Sequence, residues 1–305
     1  MRRFLLAGVV LVAFASSASG QSLGGGSLGG GSLGAGALGA GAIGGGGSAP
    51  PAGLPTDVQF YASAANGFAQ GRTDGEAIGA TNNVCPITGS LTTQCQTQTS
   101  AGARGTWERA ADCKGPNACW KFGASDFMIG TGTTADWQWI AAQPVVCHIV
   151  QAWDSAPTST QHVFVSTTFL NPGGRLFMYG AGADRAVGGG AAGINLNPGA
   201  NTCWSGVTMT DPTIISYQIA GLGANELTVR VNGIACRTTT VTAYSISSLG
   251  NLGFPNYFDS GLTIGSEMSE IWCDSSTAAG SAAAMTARAD AALVSLAATY
   301  GVTLP

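Results

Sequence analysis

Charge is what this chain has least of. Its 305 residues include 12 Lys+Arg, 16 Asp+Glu and 2 His, so charged side chains make up 9% of it, against about 25% in an ordinary soluble protein. The net charge is −4, and no basic stripe is available for a nucleic acid backbone, which excludes nucleic acid as a partner. Nor is there a basic amphipathic helix to lie on a membrane surface. The two histidines, His148 and His162, leave little scope for a Ser–His–Asp set, and His148 falls in an apolar run where a satisfied core residue is the expected role. C-x-x-C pairs are missing and neither histidine has a matching cysteine spacing, so no zinc site is expected. Long apolar runs are missing as well: Phe4–Ala15 is too short to span a bilayer.

What the chain does have begins at its start. Arg2 and Arg3, the apolar run and the small-residue stretch "SSASGQS" read as a secretory signal peptide over 1–20, cut before Gln21, with no membrane insertion afterwards. Residues 22–46 are five copies of a five-residue unit, SLGGG SLGGG SLGAG ALGAG AIGGG. A period of five fits neither helix nor strand, so 21–55 is expected to be a glycine-rich flexible linker spanning roughly 30 Å. "GGSLG" and "GAGAIG" inside the repeat imitate a nucleophile elbow and a dinucleotide fingerprint, but without the strand before or the helix after that either requires. "GGGAAG" at 188–193 is followed by "INLNPG", which offers no helix N-terminus for a phosphate.

Eight cysteines in an exported chain suggest disulfides, which would place the protein outside the cell, in the periplasm or at the cell surface. Cys85/Cys95 and Cys113/Cys119 are close enough to close small loops; the other pairings stay open. Residues 56–305 suffice for one all-β domain. Turn signals such as Asn66-Gly67, Pro172-Gly173 and Asn232-Gly233 alternate with short β-rich runs, notably 120–129, 145–153, 213–220, 226–232 and 267–274. Alternation of Leu227, Val229 and Val231 before Asn232-Gly233 predicts a hairpin with a type I′ turn. Only the end reads as helix: Ala289, Leu293, Leu296 and Tyr300 recur at helical spacing, and Gly301 follows.

Four stretches in this order resemble the concanavalin A-like lectin/glucanase superfamily in its laminin-G-like, bacterial or phage form. They are "WKFGASDFMIGTG" (120–132), "PVVCHIVQAWD" (144–154), "TIISYQIAG…NELTVRVNGIAC" (213–236), and "LTIGSEMSEIWCDS" with the closing "ARADAALVSLAATYGVTLP". The resemblance covers 118–305. It implies a two-sheet antiparallel jelly-roll sandwich with one C-terminal helix, and places the hairpin at an inner position of one sheet.

Enzymes of that superfamily carry carboxylates at alternate positions of one strand, flanking a glycosidic bond. Glu267, Glu270 and Asp274 are the corresponding candidates, but strict alternation sends Glu267 and Glu270 to opposite faces. The catalytic pattern is therefore broken; the resemblance to noncatalytic members of the superfamily implies a structural role for Glu270, and no catalytic residue is assigned. Asp126 and Asp154 fall at turns, where capping is the default. Sugar recognition instead calls for exposed aromatic rings, and Trp137, Trp139, Tyr179, Trp204 and Tyr257 lie beside polar residues and turns. The expected function is non-catalytic binding of a glycan or another cell-surface ligand. A glycoside hydrolase on the same sandwich, or a structural envelope or phage-derived appendage protein, are the alternatives. No cofactor is expected; the resemblance makes calcium conceivable, though no Asp-rich loop assigns it.

Overall fold

The computed structural model describes residues 50–305 apart from 90–93, 132–133, 138, 140–143, 156–160, 167–174, 182–183, 191–202, 204–205, 220–225, 241–251 and 254–263; within 161–190 and in several strand-end residues the backbone alone is described. The chain is antiparallel β-structure with one long helix at its end. Its strands are β1 (Phe60–Ser63), β2 (Glu76–Ala77), β3 (Gln96–Thr97), β4 (Thr106–Glu108), β5 (Cys119–Phe122), β6 (Ile129–Gly130), β7 (Val145–Trp153), β8 (Gln161–Ser166), β9 (Arg175–Ala181), β10 (Asp184–Gly190), β11 (Thr213–Ile219), β12 (Glu226–Val231), β13 (Ile234–Thr240), β14 (Leu252–Gly253) and β15 (Ser266–Ser275). The main sheet runs β13-β12-β11-β7-β15-β5-β4-β2, and β1 pairs with the second half of β15 beside β5. A second sheet runs β10-β9-β8-β14, and β3 pairs with β6. This is a two-sheet sandwich with a C-terminal helix, Ala282–Tyr300.

The two central strands explain the layering. β7 and β15 are buried along their whole length, as expected for strands covered on both faces. Cys147, Ile149, Trp153, Met268, Ile271 and Cys273 join the sandwich core with Phe60, Trp120, Tyr217 and Val229. Val146, Val150 and Trp272 point the other way, where Met285, Ala289, Ala292, Leu296 and Tyr300 of the helix cover them. Each face thus receives the alternate residues of one strand.

Local chemistry sets the boundaries. The hairpin turns at Asn232 (φ 49°) and Gly233 (φ 82°), the positive pair a type I′ turn demands. Asn232 Oδ1 also accepts the Ile214 amide at 2.8 Å. The hairpin forms the edge of the main sheet, not an inner position, because β13 has β12 as its single partner in the sheet order. The run 120–129, read as one strand, is two: Asp126 Oδ2 accepts the Gly123 amide at 2.7 Å, and this turn separates β5 from β6. The helix opens with Ser281 Oγ accepting the Ala284 amide and closes on Gly301 at φ 67°.

Four disulfides use all eight cysteines. Cys85–Cys95 and Cys113–Cys119 close the small loops that their spacing suggested. Cys147–Cys273 joins the paired strands β7 and β15, and Cys203–Cys236 reaches β13. No helix among the described residues is long and apolar enough to cross a membrane.

The short helix Ala64–Ala69 supplies one stability prediction. A Cβ on Gly67 would overlap the Trp107 ring, and Trp107 is buried against Trp120. Gly67→Ala should lower the unfolding free energy by about 2–3 kcal/mol, the usual cost of overpacking, read from the denaturant midpoint. A change below about 0.5 kcal/mol, the range of an ordinary surface substitution, would contradict this packing.

Candidate functional site

The outer, helix-covered face of β15 gathers the carboxylates that any hydrolytic reading needs. Alternation would separate Glu267 from Glu270, but the register with β7 shifts between Met268 and Glu270. That bulge adds one residue, so Met268, Ile271 and Cys273 stay in the sandwich core while Glu267, Glu270 and Asp274 all take the opposite face. All three are buried.

Each is already engaged. Glu270 Oε1 accepts from Ser63 Oγ at 3.1 Å and from the Tyr300 hydroxyl at 2.9 Å, and its Oε2 accepts from the Tyr61 hydroxyl at 3.1 Å. Burial pushes its carboxyl up to about 7, against the pull of those three donors. Both tyrosines are raised in turn, by burial first and then by the carboxylate beside them. Glu267 accepts the Lys114 amide, and burial raises it while the Lys114 amide and charge oppose. Asp274 pairs with Arg288 Nε at 3.1 Å and accepts the Ser275 amide at 2.9 Å; burial raises it, with Arg288 opposing.

Two elements cover this row. One is the helix, through Arg288 and Tyr300. The other is the small loop closed by Cys113–Cys119: Lys114 Nζ donates to the Trp153 carbonyl and lies 3.3 Å from Asp154, and Asn117 Nδ2 donates to the Tyr300 hydroxyl at 3.3 Å. The arrangement joins strand, loop and helix; it presents no free carboxylate. Sequence reasoning named the three acids but missed Tyr61, Ser63, Lys114, Arg288 and Tyr300. The one signal for partners was three acids on the strand that also carries Met268, Ile271, Trp272 and Cys273, since acids that share a strand with core residues must be satisfied if buried.

The aromatic candidates separate. Trp137 is fully buried, 5.8 Å from Phe60, and its Nε1 donates to the Thr131 carbonyl at 2.7 Å. Trp139 is 7% exposed. Neither offers a ring face to solvent, which corrects their placement on an exposed platform: the turn Thr134–Trp137 folds inward, and Gly130 leaves room for the Trp137 ring. Tyr179 lies on β9, of which the backbone is described, and Trp204 and Tyr257 lie outside the described residues.

Among the described residues, two groups bring three metal-type donors within 4.8 Å of one another. Cys113, Cys119 and Glu267 offer no thiolates, because the two sulfurs are bonded together. Asp74, Glu108 and Asp112 form an exposed oxygen set of the kind a hard cation takes. Asp74 there accepts the Arg109 amide at 2.8 Å, and Glu108 the Thr106 hydroxyl at 2.6 Å.

No family model and no curated protein sequence matches the chain. Solved structures that it is similar to include domain 4 of an extracellular arabinanase from Geobacillus stearothermophilus in complex with arabinotriose, at 9% identity and a TM-score of 0.44 over 67% of this chain and 94% of that one. A Trypanosoma rangeli sialidase matches at 8% identity and a TM-score of 0.49, over 80% of this chain and 34% of that one. The binding domain of a botulinum neurotoxin, in complex with rat synaptotagmin II, matches at 9% and 0.43, over 73% and 51%. None of these likenesses bears on what this chain binds.

Proposed function

We propose that the chain is an exported, laminin-G-like jelly-roll module that binds carbohydrate or another surface ligand without processing it. A signal peptide over 1–20 and a flexible tether over 21–55 complete this reading. The observation that carries the non-catalytic part is the commitment of Glu267, Glu270 and Asp274 to Lys114, to three hydroxyls and to Arg288. A hydrolase needs two carboxyls facing its substrate, and these face the fold. The scarcity of charge, at 9% of residues, supports a surface suited to hydroxyl-rich partners in preference to polyions. Tyr179, Trp204 and Tyr257 remain the residues to carry ring stacking.

The test is a glycan array probed with the full oxidised protein, with and without calcium. Saturable binding that falls at least tenfold in Tyr179→Ala, Trp204→Ala or Tyr257→Ala, with the unfolding midpoint unchanged, is the expected result. Silence of folded protein across the array would remove the carbohydrate reading. Binding that needs calcium and is lost in Asp112→Asn would give the exposed carboxylates a part in it.

A further inference from the structure

His148 lies at the centre of the helix-covered face. It is 2% exposed, and its ring stacks on Trp272 at 5.3 Å between centroids, with 21° between the planes. Nδ1 lies 2.8 Å from Ser216 Oγ, and Nε2 lies 2.9 Å from the Ala289 carbonyl. A carbonyl can only accept, so Nε2 carries a proton and donates to the helix; the Ser216 hydroxyl donates to Nδ1 of a neutral ring and would accept from that of a charged one. Both nitrogens are used, and burial favours the neutral imidazole.

The helix is fastened unevenly. Polar ties hold its second half: Ser295 Oγ donates to the Ala52 carbonyl at 2.8 Å, and the Tyr300 hydroxyl meets Glu270, Asn117 and Ser269. Its first half is held at Arg288 by Asp274 and at Ala289 by His148, beside Val146 and Trp272, which stand next to Asp274 and His148 in the β7–β15 register. Just before it, Gly280 adopts φ 82° with open space around it, a natural hinge between Ser276–Ala279 and the long helix.

We propose that the first half of this helix, Ala282–Ala292, is an acid-operated flap: a proton on His148 unseats it about Gly280 and uncovers Val146 and Trp272. Every element packed on the imidazole bears on this. From β11 comes the neutral Ser216, from β15 the Trp272 ring, and from the helix a carbonyl. The charge that acts on the ring is Arg230 of β12, which has the same sign as an imidazolium. Asp274 and Glu270 flank Trp272 on β15 but are taken by Arg288 and by the three hydroxyls. A charged ring here has no counter-ion, and burial holds the group down to about 4, against an ordinary 6.5 and against the Ala289 carbonyl, which by itself favours the charged ring; the cost of burying the charge outweighs that bond. Lifting the helix admits water to the ring. An unsupported stretch of this length does not hold helical structure on its own, so its amides then exchange.

The test is hydrogen exchange of the full chain between pH 6.5 and 4, corrected for intrinsic rates, in the parent and in His148→Gln. Glutamine can still donate to the Ala289 carbonyl but cannot take up the proton. The parent should lose protection at 286–292 at least tenfold more than at 296–300, and the variant should show no such difference. Equal acid loss in the variant would assign the effect to Asp274 and overturn the proposal, as would simultaneous loss across helix and sheet. Should the variant not fold, the His148 imidazole signal of the parent decides by NMR. Proton uptake well below 6.5 that coincides with loss of protection supports the flap. Uptake near 6.5, or uptake with protection intact, overturns it.

Discussion

Replacing Cys147 and Cys273 together by alanine should lower the unfolding free energy by about 4–5 kcal/mol. The bridge has a sequence separation of 126 residues, and in the chain-entropy account cross-linking so long a loop removes that much freedom from the unfolded chain. It also ties the two strands that carry both cores, since Cys147 and Cys273 stand opposite each other in the β7–β15 register. The loss should appear as a drop in the denaturant midpoint at unchanged slope. Removing Cys113–Cys119, with a separation of 6, should cost less but loosen the loop over Glu267. A midpoint indifferent to loss of the long bridge would mean that the unfolded chain is already compact there.

Glu270→Ala comes next, with an expected loss of about 4 kcal/mol. It leaves the hydroxyls of Tyr61, Ser63 and Tyr300 without their acceptor in a buried site, where each unpaired group costs about 1–3 kcal/mol; removal of an unfavourably buried carboxyl offsets part of that. Glu270→Gln keeps the shape and one acceptor, and should cost less. Its signature is in pH. The folded carboxyl stands at about 7 against 4.5 unfolded, so between those values the folded state holds a proton that the unfolded state has released, and stability from this group falls as pH rises. Glu270→Gln should therefore gain about 3 kcal/mol on the parent from pH 4.5 to 7, at about 1.36 kcal/mol per unit. His148 works in the opposite sense. Its folded value is depressed to about 4, the unfolded state binds the extra proton between 4 and 6.5, and stability falls as pH drops through that window. The two groups offset each other in the parent, and the glutamine variant unmasks the histidine.

Much of this fold is legible in the sequence, and the reason differs by element. β7 shows as an apolar run because both of its faces are covered, whereas β15, with three acids and three serines among its ten residues, is legible only through Met268, Ile271, Trp272 and Cys273; the Asn232-Gly233 turn shows because few residues accept two positive φ values in succession. The C-terminal helix declares itself through spacing and its terminal Gly301. Other features depend on contacts far apart in the chain. Nothing local in Phe60–Ser63 says that it lies beside β15, some 200 residues later in the chain. The bulge near Ser269 overturned the face assignment of Glu267 because one extra residue reverses alternation without leaving a pattern of its own. Trp137 and Trp139 stand beside Asp136 and Gln138, which suggested exposure; the inward turn and the space at Gly130 decide otherwise.

The central claim is that the carboxylates of β15 hold the fold and do not touch a ligand. The most direct measurement pairs the unfolding midpoint of Glu270→Gln with its affinity for the strongest glycan found on the array, and follows that glycan by mass spectrometry. The account predicts a shifted midpoint, an affinity within about twofold of the parent at saturating stability, and an intact glycan. Cleavage by the parent that disappears in Glu270→Gln, at an unchanged midpoint, would contradict it and make the buried row an active site.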